Sequence, residues 1–391
     1  MTIQTDESSL SWVLSHSDES KVRLPGTDRA QDPAATLAMA LRAAPKVGIT
    51  RIADITRLDT IGIPTFQAIR PTATTLAVSQ GKGITPQLAK LSATMEAIEL
   101  WHAEQPMPPV MTAAPRDLGG RLDYDVRELA PSVPSVLHDG LPLDWVAARS
   151  LVDGAETLVP RDVVALSLVR RAGWNPPVFF ESTNGLASGN TLVESILHAL
   201  YEVVERDAMT AAYTGGGEMG VRVDPRTMGS PVADELCEMM ERAGISQEVR
   251  LVPSPTGLPC FLSRITCEDY PPAFYGFGCH LSSEISLTRA VTEAAQARLA
   301  YISGARDDLR SDFNDDHGAK RPTRPAPAAA GETIPRLPAH ESLAGDLADV
   351  IERVTAAFSH APLVVDLTRD DIGVPVVKVV APGSRICLEV L

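Results

Sequence analysis

SGNTLVESILHALYEVVERDA, residues 188–208, is the stretch whose reading decides the fold. Leu192, Ile196, Leu197, Leu200, Val203 and Val204 recur at helical spacing and cover much of a helix circumference. The strip left over carries Glu194, Glu202 and Glu205, which at 100° per residue fall within an arc of roughly 80°. A helix this apolar is a core element, and carboxylates carried into a core need partners. A second acidic helix is legible upstream in LSATMEAIELWHAE, residues 91–104, where Glu96 and Glu99 adjoin on one face together with Ser92. Solvated helix faces are the alternative reading, because Glu is a strong helix former. The apolar surroundings of residues 188–208 argue against it there. Two such stripes facing one another would repel by roughly 4 kcal/mol per close pair, at about 4 Å and an effective dielectric near 20, and so call for cations. Hard divalent ions with oxygen ligands are the natural partners, above all Mg2+ shared between carboxylates and nucleotide phosphates.

Both acidic helices follow a strand and a glycine-containing turn. TLAVSQGKGIT (75–85) delivers the first, and PPVFFESTNGLASGN (176–190) delivers the second. Upstream, the spacing predicts a helix over 33–44 with Asp32 as N-cap and Pro33 at its first position, then strands within 49–71. A third informative helix is expected over 285–304, after the strand PAFYGFGCHLS. On it Glu293 and Gln296 share a face, while Arg298 points well away from both. The C-terminal part reads as a helix over 342–359 followed by the strands APLVVDLTR and GVPVVKVVAPG. Residues 1–20 read as a flexible tail and 21–391 as a single domain. Residues 308–340, rich in Pro, Ala and charge, read as a mobile loop, either a lid or a partner-binding segment, or an insertion of no consequence.

Composition excludes several function classes. A net charge of −15 opposes non-specific attraction to nucleic acid, and no basic stripe with interleaved aromatics occurs. No apolar run approaches membrane-spanning length, and the polar, acidic start has no secretory character, so a cytoplasmic protein is expected. The five cysteines are widely spaced without a C-x-x-C pair, which suits buried free thiols better than disulfides or zinc. Cys279 beside His280 would point to opposite faces of a strand.

QGKG (80–83), SATMEAIE (92–99), STNGLASGN (182–190), EVVERDA (202–208) and EAAQARLAYISGARDD (293–308) together resemble the successive motifs of YcaO-domain proteins, over roughly residues 24–387. The resemblance implies a mixed α/β (α+β) fold of related strand-turn-helix subdomains with ATP bound between helices. It also implies an enzyme that phosphorylates a peptide backbone amide oxygen after a nucleophile has added to the carbon, so that phosphate leaves. By the same resemblance Glu96, Glu99, Glu202 and Glu205 would hold Mg2+, with Glu202, Glu205 and Arg206 at the reacting phosphoryl group. Ser92, Asn190 and Glu194 would belong to the nucleotide pocket, joined by Arg29 and Thr36 from the N-terminal part, Lys82, and Gln296 and Arg298 from the third helix. Lys82 sits between two glycines but lacks the spacing of a Walker motif. Metals and an arginine suit phosphoryl transfer, which demands positioning and charge neutralisation.

Two features depart from many family members: Leu100 stands where Arg is common, and RICLEVL replaces a proline-rich tail. The missing tail and the wording MEAIELWHAE look more like members that work with a TfuA partner and install backbone thioamides. Azoline formation with a separate E1-like or leader-binding partner is the alternative, and amidine formation a third variant. A non-catalytic accessory factor for ribosomal-protein methylthiolation is an alternative of another class. An ATP-grasp-like or other ligase, giving AMP or a free acyl phosphate, is a further one. A ribosomally made precursor peptide as substrate and a homodimer are expected from the family, with neither nucleic acid nor membrane as partner.

Overall fold

The computed structural model describes residues 20–166, 178–216, 219–268, 272–305 and 334–387. Of the expected tail, residues 1–19 lie outside the described residues, as do 308–333 of the expected loop. In chain order the first elements are β1 (Val22–Leu24), β2 (Thr27–Arg29), α1 (Pro33–Ala43), β3 (Arg51–Asp54), β4 (Thr65–Ile69), β5 (Val78–Lys82) and α2 (Pro86–Ala103). Next come β6 (Met111–Ala113), β7 (Leu143–Ser150), β8 (Glu156–Pro160), β9 (Leu186–Ser188), α3 (Leu192–Thr214), β10 (Val221–Val223) and α4 (Pro231–Arg242). The last are β11 (Ser246–Val252), β12 (Cys260–Thr266), β13 (Phe274–Cys279), α5 (Ser283–Ser303), α6 (Leu343–Phe358), β14 (Leu363–Asp366) and β15 (Val376–Val380). The class is mixed α+β, as expected.

The chain divides into two compact units, one comprising 22–97 and 211–339, the other 98–210 with 340–391 and the N-terminal residues to Lys21. The helices α2 and α3 each run from one unit into the other, so Glu96 belongs to the first unit and Glu99 to the second.

In the first unit, an antiparallel β10-β11-β12-β13 sheet carries α5, and an antiparallel β3-β4-β5 sheet meets the same helix. Phe261, Ile265, Leu236, Met240, Leu287 and Val291 lie in its core. Asp32 caps α1 by accepting from the Ala34 amide at 2.8 Å, with Pro33 next in line. Ser282 and Gly304 bound α5 as its N-cap and left-handed C-cap.

Of the two glycines of QGKG, Gly83 lies in the expected connection between β5 and α2, and Gly81 does not. Gly81 lies inside strand β5, where a Cβ would stand 1.9 Å from the Ala93 nitrogen and 2.4 Å from the Ala89 oxygen of α2. Bare backbone is needed because the helix rests directly on the strand. The same device recurs at Gly276 of β13, where a Cβ would lie 2.2 Å from the Ala290 oxygen of α5.

In the second unit, a six-stranded antiparallel sheet has the path β6-β7-β14-β15-β9, with β8 paired to β7. Trp145 is fully buried in its core and donates its indole N–H to the Ala113 carbonyl at 2.9 Å. The strand expected around residues 178–180 is a single bridge between Phe179 and Pro131. Its partner segment bends at Ala130, which holds a left-handed φ of 54°, and Pro131 lacks an N–H.

Gly81→Ala should lower stability by about 1–3 kcal/mol or more, the range of overpacked cores. Thermal unfolding of the full chain checks this, and an unchanged midpoint would contradict the helix-on-strand contact.

Candidate functional site

Along 91–100 of α2 every residue is buried except Ser92, Glu96 and Glu99. The helix thus keeps one polar lane and packs its remaining surface, which is the pattern expected for the first acidic stripe. On α3, among residues 193–210, the half-buried positions are His198, Glu202 and Arg206, a lane at four-residue spacing, while Glu194 and Glu205 are buried.

Within the second unit the structure ties most of the expected residues to one another. Glu99 accepts from the Ser188 amide at 2.8 Å and from the Ser188 hydroxyl at 2.5 Å. Two residues later, Asn190 donates its backbone N–H and its side-chain amide to Glu194, at 3.2 and 2.9 Å. Glu194 stands in the first turn of α3, where the helix dipole favours a carboxylate. Arg206 approaches Glu205 at 3.8 Å. One face of the glycine-rich segment 185–190 therefore fixes carboxylates from both acidic helices.

Three groups here were missed from sequence. Ser188 lies within a motif that was noticed, but it was not singled out as a contact. Asp207 is fully buried and receives Arg385 through the backbone N–H at 2.8 Å and through guanidinium bonds at 2.9 and 3.0 Å. The third is Lys378, 3% exposed at the centre of β15, which donates to the Ser182 carbonyl at 2.7 Å. Burial pulls its ammonium down to about 8, with the charge of Glu202 opposing that fall. The signal for it was legible as the single charge inside the apolar run VPVVKVV.

The first unit holds the other candidates. Arg29 ends β2 and donates to the Asp28 carbonyl, and Thr36 is buried on α1 with its hydroxyl donating to the Asp32 carbonyl at 3.2 Å. Lys82 forms an ion pair with Glu293 of α5 at 2.8 Å. Gln80 shares the Lys82 face of β5, is 1% exposed and has a hydrogen-bond partner at neither end of its amide. Gln296, one turn beyond Glu293, is also buried with an unpartnered Oε1. Arg298 lies on another face, held by Asp59 at 2.8 Å and by the Cys267 sulfur, over the Phe274 ring. Any nucleotide contact by Arg298 would be shared with that ion pair. Cys279 and His280 are both buried, and the His280 ring accepts from the Ser282 amide.

The donors fit a hard cation. They are carboxylate oxygens, and the buried Asn190 Oδ1 beside Glu194 is an acceptor with no partner. Among the described residues no three His, Cys, Asp or Glu side chains converge into a metal cage. Mg2+ held between one or two carboxylates and nucleotide phosphates needs none.

A family model described as YcaO cyclodehydratase, ATP- and Mg2+-binding, matches residues 80–385. The chain belongs to the YcaO family. ATP and Mg2+ are the cofactors of that family. An uncharacterized protein of Mycobacterium tuberculosis is 41% identical over 365 residues, spanning 92% of this chain and 82% of its own length. An uncharacterized protein in the tfuA 3' region of Rhizobium leguminosarum bv. trifolii is 32% identical over 377 residues, or 92% and 89% of the two chains. The YcaO fold is shared with YcaO from Methanopyrus kandleri bound with AMPPCP and Mg2+, at a TM-score of 0.71 and 23% identity over 93% of this chain and 94% of that one. It is shared too with a heterocyclase in complex with substrate and cofactor, at 0.73 and 23% over 96% of this chain. The YcaO chain spans only 55% of that heterocyclase.

Lys378 gives a pH dependence. In the folded YcaO chain it sheds its proton near pH 8, against an ordinary 10.5 when unfolded. Between those values the unfolded state binds more protons, so stability rises with pH across that window, and the cost of burying the charge is fully present below it. The stability of the wild type relative to Lys378→Met should therefore increase from pH 8 to pH 10, measured by denaturant unfolding. Parallel pH profiles would contradict a buried ammonium.

Proposed function

We propose that this YcaO protein is an ATP-dependent enzyme that activates a backbone amide of a ribosomally made precursor peptide. Its product is a thioamide, formed with a sulfur donor and a TfuA-type partner protein. The observation that carries this reading is the tied set of oxygen donors Glu99, Ser188, Asn190 and Glu194, in the same unit as Glu202, Glu205 and Arg206. A relative's position in the tfuA 3' region favours thioamide over azoline formation.

ATP with Mg2+ supplies the phosphoryl group that converts the amide oxygen into a leaving phosphate. For the chain's own residues, Glu96, Glu99, Glu202 and Glu205 would hold Mg2+, no more than two of them to any one ion. Ser92, Asn190 and Glu194 position the nucleotide, with Arg29, Thr36, Lys82, Gln296 and Arg298 as further contacts. Arg206 offsets the negative charge that spreads over the transferring group, a role suited to a guanidinium. Ser188 holds the Glu99 carboxylate at a fixed angle, so that metal binding requires little side-chain ordering. Substrate choice rests with the partner and the precursor. The protein works in the cytoplasm as a homodimer.

Azoline formation is the second reading, favoured by the family description as cyclodehydratase and by the heterocyclase that shares the fold. Incubation with ATP, Mg2+, a sulfide source, the precursor and the partner separates the two by product mass. Sulfur for oxygen marks the thioamide, and loss of one water marks the azoline. Glu202→Gln should depress peptide-dependent ADP release by roughly a hundredfold or more with the fold retained. Modification at the normal rate by that variant would remove the mechanism.

A further inference from the structure

Cys260 and Cys279 are two fully buried thiols to which the amide-activating reaction, as assigned above, gives no part. They stand directly opposite one another, Cys260 opening β12 and Cys279 closing β13 of the antiparallel sheet in the first unit. Residues paired in this way project from the same face of a sheet. In an antiparallel ladder, hydrogen-bonded pairs alternate with non-hydrogen-bonded ones. The next pair out is bonded, since the His280 amide donates to the Pro259 carbonyl at 3.3 Å. Cys260 and Cys279 are therefore a non-hydrogen-bonded pair, the kind whose Cα atoms approach to about 4.5 Å. A disulfide spans Cα separations of about 4.4–6.8 Å, so one bond can join the two sulfurs with little backbone movement.

The same stretch of backbone is tied to the start of α5. The Ser286 hydroxyl lies 2.8 Å from the Pro259 carbonyl and 2.8 Å from the Gly278 carbonyl, one residue before each cysteine, and can donate to either. The Ser282 amide, at the N-cap of α5, donates to the His280 ring at 2.9 Å. A Cβ on Gly278 would stand 2.0 Å from the Ser286 carbonyl oxygen, so strand and helix touch backbone to backbone. Opening β12 from β13 at the cysteines must break these contacts and loosen the first turns of α5.

We propose that Cys260 and Cys279 form a thiol–disulfide pair, closed by a low-molecular-weight disulfide oxidant and reopened by a thiol reductant. The closure takes two exchanges. One cysteine thiolate attacks a sulfur of the oxidant, which gives a mixed disulfide and expels one molecule of the oxidant's thiol. The other thiolate attacks the protein sulfur of that mixed disulfide, joins Cys260 to Cys279 and expels the second. Two electrons pass to the oxidant, and the two thiol protons end on the expelled thiols. Access comes through β13, which lies at one edge of its sheet and so can open locally. Once closed, the bond keeps β12 on β13 and holds the carbonyls around Ser286 in place.

The test incubates the reduced full chain with oxidised glutathione at pH 8, quenches with acid and alkylates the remaining thiols. Cleavage after Arg250, Arg264 and Glu268 puts Cys260, Cys267 and Cys279 on separate peptides. Mass spectrometry should show the peptides of Cys260 and Cys279 joined, with the link lost on adding dithiothreitol. Both cysteines recovered alkylated, either one left as a glutathione adduct, or a link of either to another cysteine would overturn the pair. Hydrogen exchange reads the consequence. On oxidation the α5 amides from Leu287 to Val291 should exchange about tenfold more slowly, and in Cys279→Ala the same treatment should leave them unchanged. Unchanged exchange in the oxidised wild type, or equal slowing in Cys279→Ala, would sink the coupling to α5. Cys260→Ala takes the place of that variant should it fail to fold.

Discussion

Everything in the second unit depends on keeping several carboxylates in a largely dry interior. Glu194 and Glu205 are buried, and Glu99 and Glu202 are half-buried, on helices whose other faces are apolar. Like charges in a dry interior repel more strongly than they would in water. The fold answers with a partner for each of the acids whose contacts are described. Ser188 donates twice to Glu99, Asn190 twice to Glu194, and Arg206 sets positive charge beside Glu205. Each partner leaves carboxylate lone pairs over, since a carboxylate accepts about four bonds. The arrangement is thus stable enough to fold and still has oxygen donors to offer.

The second constraint is steric. Helices α2 and α5 lie on strands at distances that only glycine permits, through Gly81 and Gly276. A Cβ at either place would push the helix outward by several tenths of an ångström or more, and every acid or amide on that helix would move with it. Positioning to that tolerance is what phosphoryl transfer asks of a protein. The sequence segments QGKG and YGFG therefore serve the placement of side chains that lie on the following helix, well away along the chain.

Much of this was legible beforehand. Helix α1 falls where its capping residues put it, because Asp32 acts locally, and α5 and α6 fall within two residues of their expected ranges. The polar lane of α2 was readable for the same reason: Ser92, Glu96 and Glu99 interrupt an apolar pattern. The role of Gly81 was misread as turn formation, since glycine in a strand and glycine in a turn look alike until the neighbouring helix is in view. Lys378, Ser188 and Arg385 were invisible as partners because their contacts join residues far apart in sequence, and no local rule connects position 378 to position 182. Arg298 was flagged by helical geometry as facing away from Gln296, and its ion pair with Asp59 agrees with that angle.

The division of the chain adds a last consequence for the acidic helices. Glu96 and Glu99 belong to different compact units, yet they sit on one continuous helix. Their separation is set by helical rise, about 4.5 Å along the axis for three residues. A pair of donors fixed in this way keeps its spacing so long as α2 stays unbroken, whatever the remaining contacts of either unit do. The helix interior contains neither Gly nor Pro beyond its first residue, Pro86, so nothing in the sequence of α2 favours a kink between the two acids. The constancy of that spacing comes from backbone hydrogen bonds alone, the most local interaction in the chain, and it underlies the most demanding part of the proposed site.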